Sequence, residues 1–107
     1  MTQPIQQVKA DFFKALAHPA RIRVLELLID GERSVGDLAE EVGLESSHLS
    51  QQLGVLRRAN LVRTRKEGST VIYSLGDRRL AKVLQLSREI LLTYLTDTAD
   101  LFSETHR

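Results

Sequence analysis

Near residue 60 the hydrophobic period of the chain changes from helical to alternating. Before that point Leu49, Leu53 and Leu56 recur at spacings of four and three, which places them on one stripe of a helix beginning at Ser46 or Ser47. Ser47, His48, Gln51 and Arg58 fall on the other face of that helix. Asn60 follows, and after glycine Asn best tolerates the left-handed conformation that ends a helix. From Leu61 to Leu75 β-branched and alternating residues are split by Glu67-Gly68-Ser69, which reads as a two-stranded hairpin with a polar tip. Arg63, Arg65 and Lys66 decorate it.

Upstream, Ile5, Val8, Phe12, Phe13 and Leu16 follow helical spacing and define a first helix over 5–16. Pro19 suits the first position of a second helix, where its missing N–H costs nothing, and that helix runs to about Ile29. Its expected core residues are Ile22, Leu25 and Leu28 or Ile29. Asp30-Gly31-Glu32 forms a turn, and Ser34 with Asp37 makes a Ser-x-x-Asp capping box for a short third helix. Val35, Leu38, Ala39 and Val42 face inward from it, and Gly43 ends it before a three-residue turn, Gly43-Leu44-Glu45. Asp77 opens a last helix reaching about residue 102, on which Leu80, Val83, Leu84, Ile90, Leu91, Tyr94, Leu95, Leu101 and Phe102 form one wide stripe. Leu86 and Leu92 extend that stripe onto a second face.

With 107 residues and 42% hydrophobic content, the chain has room for one compact domain and no second. Cysteine is absent, which excludes disulfides, thiolate metal sites and thiol redox chemistry. The first residues lack a basic stretch followed by an apolar run, and no segment approaches the roughly 18 apolar residues of a membrane span. A cytoplasmic location without membrane association is therefore expected. Net charge is +1, yet residues 45–67 hold five Lys/Arg against two Asp/Glu. A local basic segment suits a footprint for phosphates, although a solvated charged face is the commoner origin of such runs.

Two helices joined by a glycine-containing turn of three residues, the second with a polar outer face, describe a helix-turn-helix. A major groove admits one α-helix, and short Ser, His and Gln side chains hydrogen-bond base edges. The helix amino terminus also offers unpaired N–H groups to a phosphate. An ordinary αα corner accounts equally well for those two helices alone. The basic hairpin that follows tips the balance, because its strands would lie beside the same duplex. The fold class expected is mainly α (α+β winged helix), five helices and a two-stranded wing, as one domain over 1–107.

FFKALAHPARIRVLELL (12–28), SVGDLAEEVGLESSHLSQQLGVLRRANLV (34–62) and RTRKEGSTVIYSL (63–75) together resemble the ArsR/SmtB family of bacterial winged-helix repressors. The resemblance covers roughly residues 12–75 and implies a homodimer joined through the first and last helices, presenting two reading helices to a palindromic operator. Both faces of the last helix are hard to cover within one small subunit, which independently favours a dimer. By position, the resemblance places base contacts at Ser47, His48, Ser50 and Gln51, flanked by Ser46 and Gln52. Candidate phosphate contacts are Arg57, Arg58, Arg63, Arg65 and Lys66, with Ser69 at the wing tip.

Many family members bind a metal through a Glu-Leu-Cys-Val-Cys-Asp-Leu pattern on the third helix. Here the stretch is Glu32-Arg33-Ser34-Val35-Gly36-Asp37-Leu38, which has no thiolate for a soft metal. Other members hold zinc, nickel or cobalt between the last helices using histidines, but this chain has none between His48 and His106. Asp97, Asp100, Glu104 and His106 are the remaining candidates for a nickel or zinc effector, with a solvated carboxylate-rich terminus as the alternative. His18, at a helix junction, fits a cap better than a ligand. No nucleophile motif, phosphate loop or paired-carboxylate site argues for an enzyme. The competing functional reading is a winged-helix protein-interaction module without sequence-specific DNA binding.

Overall fold

The structure, a computed structural model, describes the backbone of residues 3–105 and the side chains of residues 3–97. Its elements in chain order are α1 (Ile5–Leu16), α2 (Pro19–Ile29), β1 (Arg33–Ser34), α3 (Val35–Val42), α4 (Ser46–Arg58), β2 (Val62–Glu67), β3 (Thr70–Leu75) and α5 (Arg79–Thr105). Local chemistry sets most of these boundaries. The His18 imidazole accepts a hydrogen bond at Nδ1 from the Ala20 amide at 3.0 Å, capping α2 just ahead of Pro19. Ser34 Oγ accepts from the Asp37 amide at 3.0 Å, as the capping box requires. Gly43 (φ 75°) and Asn60 (φ 61°) supply the left-handed ends of α3 and α4.

Leu25, Leu38, Leu49, Leu56 and Val24 are fully buried and form the centre of one core, to which Leu53, Leu28, Leu61, Val62 and Tyr73 also contribute. Val24 and Leu27 are thus core residues of α2 that helical spacing did not single out, whereas Ile22 and Ile29 are half-buried. The wing holds a strand more than expected. Arg33 and Ser34 pair antiparallel with Tyr73 and Ile72, giving a three-stranded sheet of order β1-β3-β2. β2 and β3 pair from Val62 opposite Leu75 to Glu67 opposite Thr70. The connecting loop is Gly68-Ser69, with Gly68 (φ 65°) at the first central position, where a type II′ turn needs positive φ.

The wing base is fastened to the end of α4. Leu61 N–H donates to the Leu56 carbonyl at 2.9 Å, and Gly76 N–H donates to the Leu61 carbonyl at 2.8 Å. A Cβ at position 76 would stand 2.3 Å from the Asn60 carbonyl oxygen, so only glycine permits this approach. Asp77 lies before α5 rather than within it, and its Oδ1 accepts from the Arg79 amide at 2.8 Å.

Leu80 of α5 is buried, and Leu84 packs against the same core. Beyond that point the apolar stripe leaves the body of the protein: Leu86, Ile90, Leu91, Leu92, Tyr94 and Leu95 are all exposed, as are Ile5, Val8 and Phe13 of α1. α1 and α5 are neighbours here, since Phe12 and the α5 residues Leu80 and Val83 line a single pocket. Among the described residues no helix is long and apolar enough to cross a membrane.

Candidate nucleic-acid interface

α4 is anchored by one stripe and open on the opposite one. Leu49, Leu53 and Leu56 are at most 2% exposed, so rotation about the helix axis is fixed by packing. Ser46, Ser47, His48, Ser50 and Gln51 are exposed. Ser47, Gln51 and Arg58, at spacings of four and seven, project from the side opposite the leucines. Gly54 lies between them, with the Arg58 guanidinium folded back over its bare backbone. Arg57 and Arg58 close the helix with two exposed cations, where they also complement the carboxyl-terminal end of the helix dipole.

Gln52 differs from its neighbours. It is half-buried, and its Oε1 accepts a hydrogen bond from Arg21 Nη1 at 2.8 Å. Helical spacing puts Gln52 at the edge of the polar face, and only the tertiary structure shows which way that edge residue turns.

On the wing, alternation sends Arg63 and Arg65 to one face of β2 and Lys66 to the other, all three exposed. Ser69 is exposed at the tip. Arg65 is engaged within the protein: Nη2 donates to Glu32 Oε1 at 2.7 Å, and Nη1 donates to Glu67 Oε2. Hydrogen bonding to Arg65 holds the Glu32 carboxyl below its ordinary pKa, and the two carboxylates raise that of Arg65. Arg63 stands at the wing base close to Asp77. The Asp77 carboxyl is lowered to about 2, first by the hydrogen bond from the Arg79 side chain, then by that from the Arg79 amide, with the Arg63 charge a smaller cause.

Of the metal candidates, Asp97 alone has a described side chain. Asp97 is exposed on α5, while the side chains of Asp100, Glu104 and His106 lie outside the described residues. Among the described residues no group of three His, Cys, Asp or Glu side chains is arranged to hold an ion.

A polar-faced helix held by leucines, preceded by a short capped helix and followed by a basic wing, is a winged helix-turn-helix. The family profile described as "Bacterial regulatory protein, arsR family" matches residues 18–64. An HTH-type transcriptional regulator of Mycobacterium tuberculosis, Rv0081, is 54% identical over 97 residues, which are 90% of this chain and 85% of the relative. The chain belongs to the ArsR family of bacterial regulatory proteins.

The crystal structure of the same M. tuberculosis regulator superposes with a TM-score of 0.84 at 52% identity, covering 92% of this chain and 99% of that one. A solution structure of the homodimeric winged helix-turn-helix DNA-binding domain Mb0332 from Mycobacterium bovis gives a TM-score of 0.77 at 30% identity, over 85% of this chain and 84% of that one. The biofilm growth-associated repressor of Xylella fastidiosa is 37% identical over 78% of this chain and 74% of its own length. The likeness to the M. tuberculosis regulator thus takes in 92% of the chain. As a member of that family the chain is a winged helix-turn-helix transcriptional regulator, not an enzyme.

Proposed function

We propose that this ArsR-family chain acts in the cytoplasm as a homodimer that binds a palindromic duplex and represses transcription by occluding a promoter. The observation that carries the reading is the state of α4: three leucines immobilise it while Ser46, Ser47, His48, Ser50 and Gln51 stay exposed. Hydroxyl, imidazole and amide groups on a rigid helix discriminate base edges in a major groove. Arg57, Arg58, Arg63, Lys66 and Ser69 supply the phosphate contacts, and Arg65 joins them by exchanging its carboxylates for a phosphate. The exposed stripes of α1 and α5 form the dimer contact, and the homodimeric assembly of the M. bovis domain supports that assignment.

The test is selection of bound duplexes from a random pool, followed by affinity measurement on the selected site and on random DNA. A palindrome with half-sites about one helical turn apart is expected. Gln51→Ala lowers discrimination between selected and random DNA, whereas Arg65→Ala weakens both alike. If neither substitution changes binding, the reading head is misplaced. A promoter fusion carrying the selected site reports lower expression when the protein is present, and higher expression would overturn the assignment of repression.

A further inference from the structure

Arg21 sits where three helices meet, and its half-buried guanidinium makes three directed hydrogen bonds. Nε donates to the Ala15 carbonyl at 2.7 Å and Nη2 to the Lys14 carbonyl at 3.1 Å, both in the last turn of α1. Nη1 donates to Gln52 Oε1 of α4 at 2.8 Å. The α1 end needs such a donor. The residue four beyond Ala15 is Pro19, which has no N–H, so the helix cannot satisfy the Ala15 carbonyl itself. A cation at that terminus also complements the α1 dipole. Only a planar guanidinium reaches two backbone carbonyls and a side-chain amide at once; a Lys ammonium on its flexible stem cannot hold that fork.

Elsewhere the α1–α4 contact is open. Asp11, Lys14 and Ala15 of α1 face Val55 and Arg58 of α4, and Ala59 just after it, across a surface groove, so the Arg21 fork is a polar fastening between two incompletely packed helices. Those two helices carry the exposed apolar stripe and the exposed polar face, respectively.

We propose that Arg21 is a positioning residue that fixes the angle of α4 relative to α1 through Gln52, so that the dimer contact dictates the spacing of the two reading helices on DNA. This rests on the dimeric DNA-reading function proposed above. Gln52 then contributes to specificity as an acceptor for Arg21 rather than as a reader of bases.

The experiment compares the selected palindrome with duplexes whose identical half-sites are moved one and two base pairs apart, using the full chain and Arg21→Ala, Arg21→Lys, Gln52→Ala and Arg21→Ala/Gln52→Ala variants. Sedimentation in parallel gives the dimer dissociation constant. In the wild type the selected spacing is preferred. Each single variant reduces that preference by about tenfold, the scale of one charge-assisted hydrogen bond, while dimerisation and random-DNA affinity are unchanged. The double variant loses no more than the worse single one, because both remove the same fastening. Gln52→Ala leaves the core intact and decides the matter even where Arg21→Ala folds poorly. Undiminished spacing preference in Gln52→Ala, or additive losses in the double variant, would overturn this role for Arg21 alone. Absence of any spacing preference in the wild type would instead overturn the dimeric reading together with it.

Discussion

Replacing Ile90 by Glu probes the proposed dimer directly. Ile90 is 69% exposed and belongs to the part of α5 beyond the core, so the substitution removes nothing that the isolated subunit uses to fold. Complete burial of an Ile side chain is worth about 1.5–3 kcal/mol, and scaling by the exposed fraction leaves roughly 1–2 kcal/mol per subunit. In a twofold assembly the residue occurs on both sides, which doubles the loss to about 2–4 kcal/mol. Since about 1.4 kcal/mol is a factor of ten, the dimer dissociation constant rises roughly 30- to 700-fold. Burying two carboxylates at the same contact adds to this, making the range a lower bound. Sedimentation velocity from nanomolar to micromolar protein measures the shift, and circular dichroism checks that helix content is kept. Affinity for the palindrome falls in step, while a single half-site is bound as before. If Ile90→Glu sediments like the wild type over that range and still retains the palindrome, the stripe on α5 is not the contact between subunits.

Three further outcomes follow from particular contacts. Ser34→Ala removes the cap of α3 and is expected to cost about 1 kcal/mol in urea unfolding, whereas Ser34→Asn costs little. Gly76→Ala forces a methyl group against the Asn60 carbonyl, so a loss of about 1–3 kcal/mol or more is expected, with Gly36→Ala as the comparison, where a Cβ meets only Ser34 Oγ at 3.8 Å. Asp77 has its folded pKa lowered from 3.8 to about 2, so its contribution to stability is complete above the ordinary value and disappears as pH falls through about 2. Urea titrations between pH 5 and pH 2 therefore show the wild type losing stability relative to Asp77→Asn across the lower part of that interval; parallel curves would refute the assignment.

Much of the fold was legible because its boundaries are set by neighbours in sequence. Ser34 with Asp37, Pro19 behind His18, Gly43 and Asn60 each act over one to three residues, and each marks an element end in the structure. Leu49, Leu53 and Leu56 revealed the buried side of α4 for the same reason. What escaped was decided by partners far along the chain. β1 is two residues long, with no alternation to read, and exists because Tyr73 and Ile72 offer it a sheet edge. Gln52 is turned by Arg21, 31 positions away, and Arg65 is engaged by Glu32, 33 positions away. Helical spacing identifies which residues share a face and is blind to such tertiary hydrogen bonds. α5 starts at Arg79, two residues beyond Asp77, because the Asp77 carboxylate accepts from the Arg79 amide from outside the helix.

The pairing of Arg65 with Glu32 and Glu67 bears on how the protein would search a chromosome. With that guanidinium already neutralised and a formal charge of only +1 overall, long-range attraction to any polyanion is shallow. Residence on irrelevant sequence is then brief, and few counterions are displaced there. A phosphate on any sequence must outcompete two carboxylates for Arg65, so the background is weak everywhere and discrimination would be left to the bases that α4 meets.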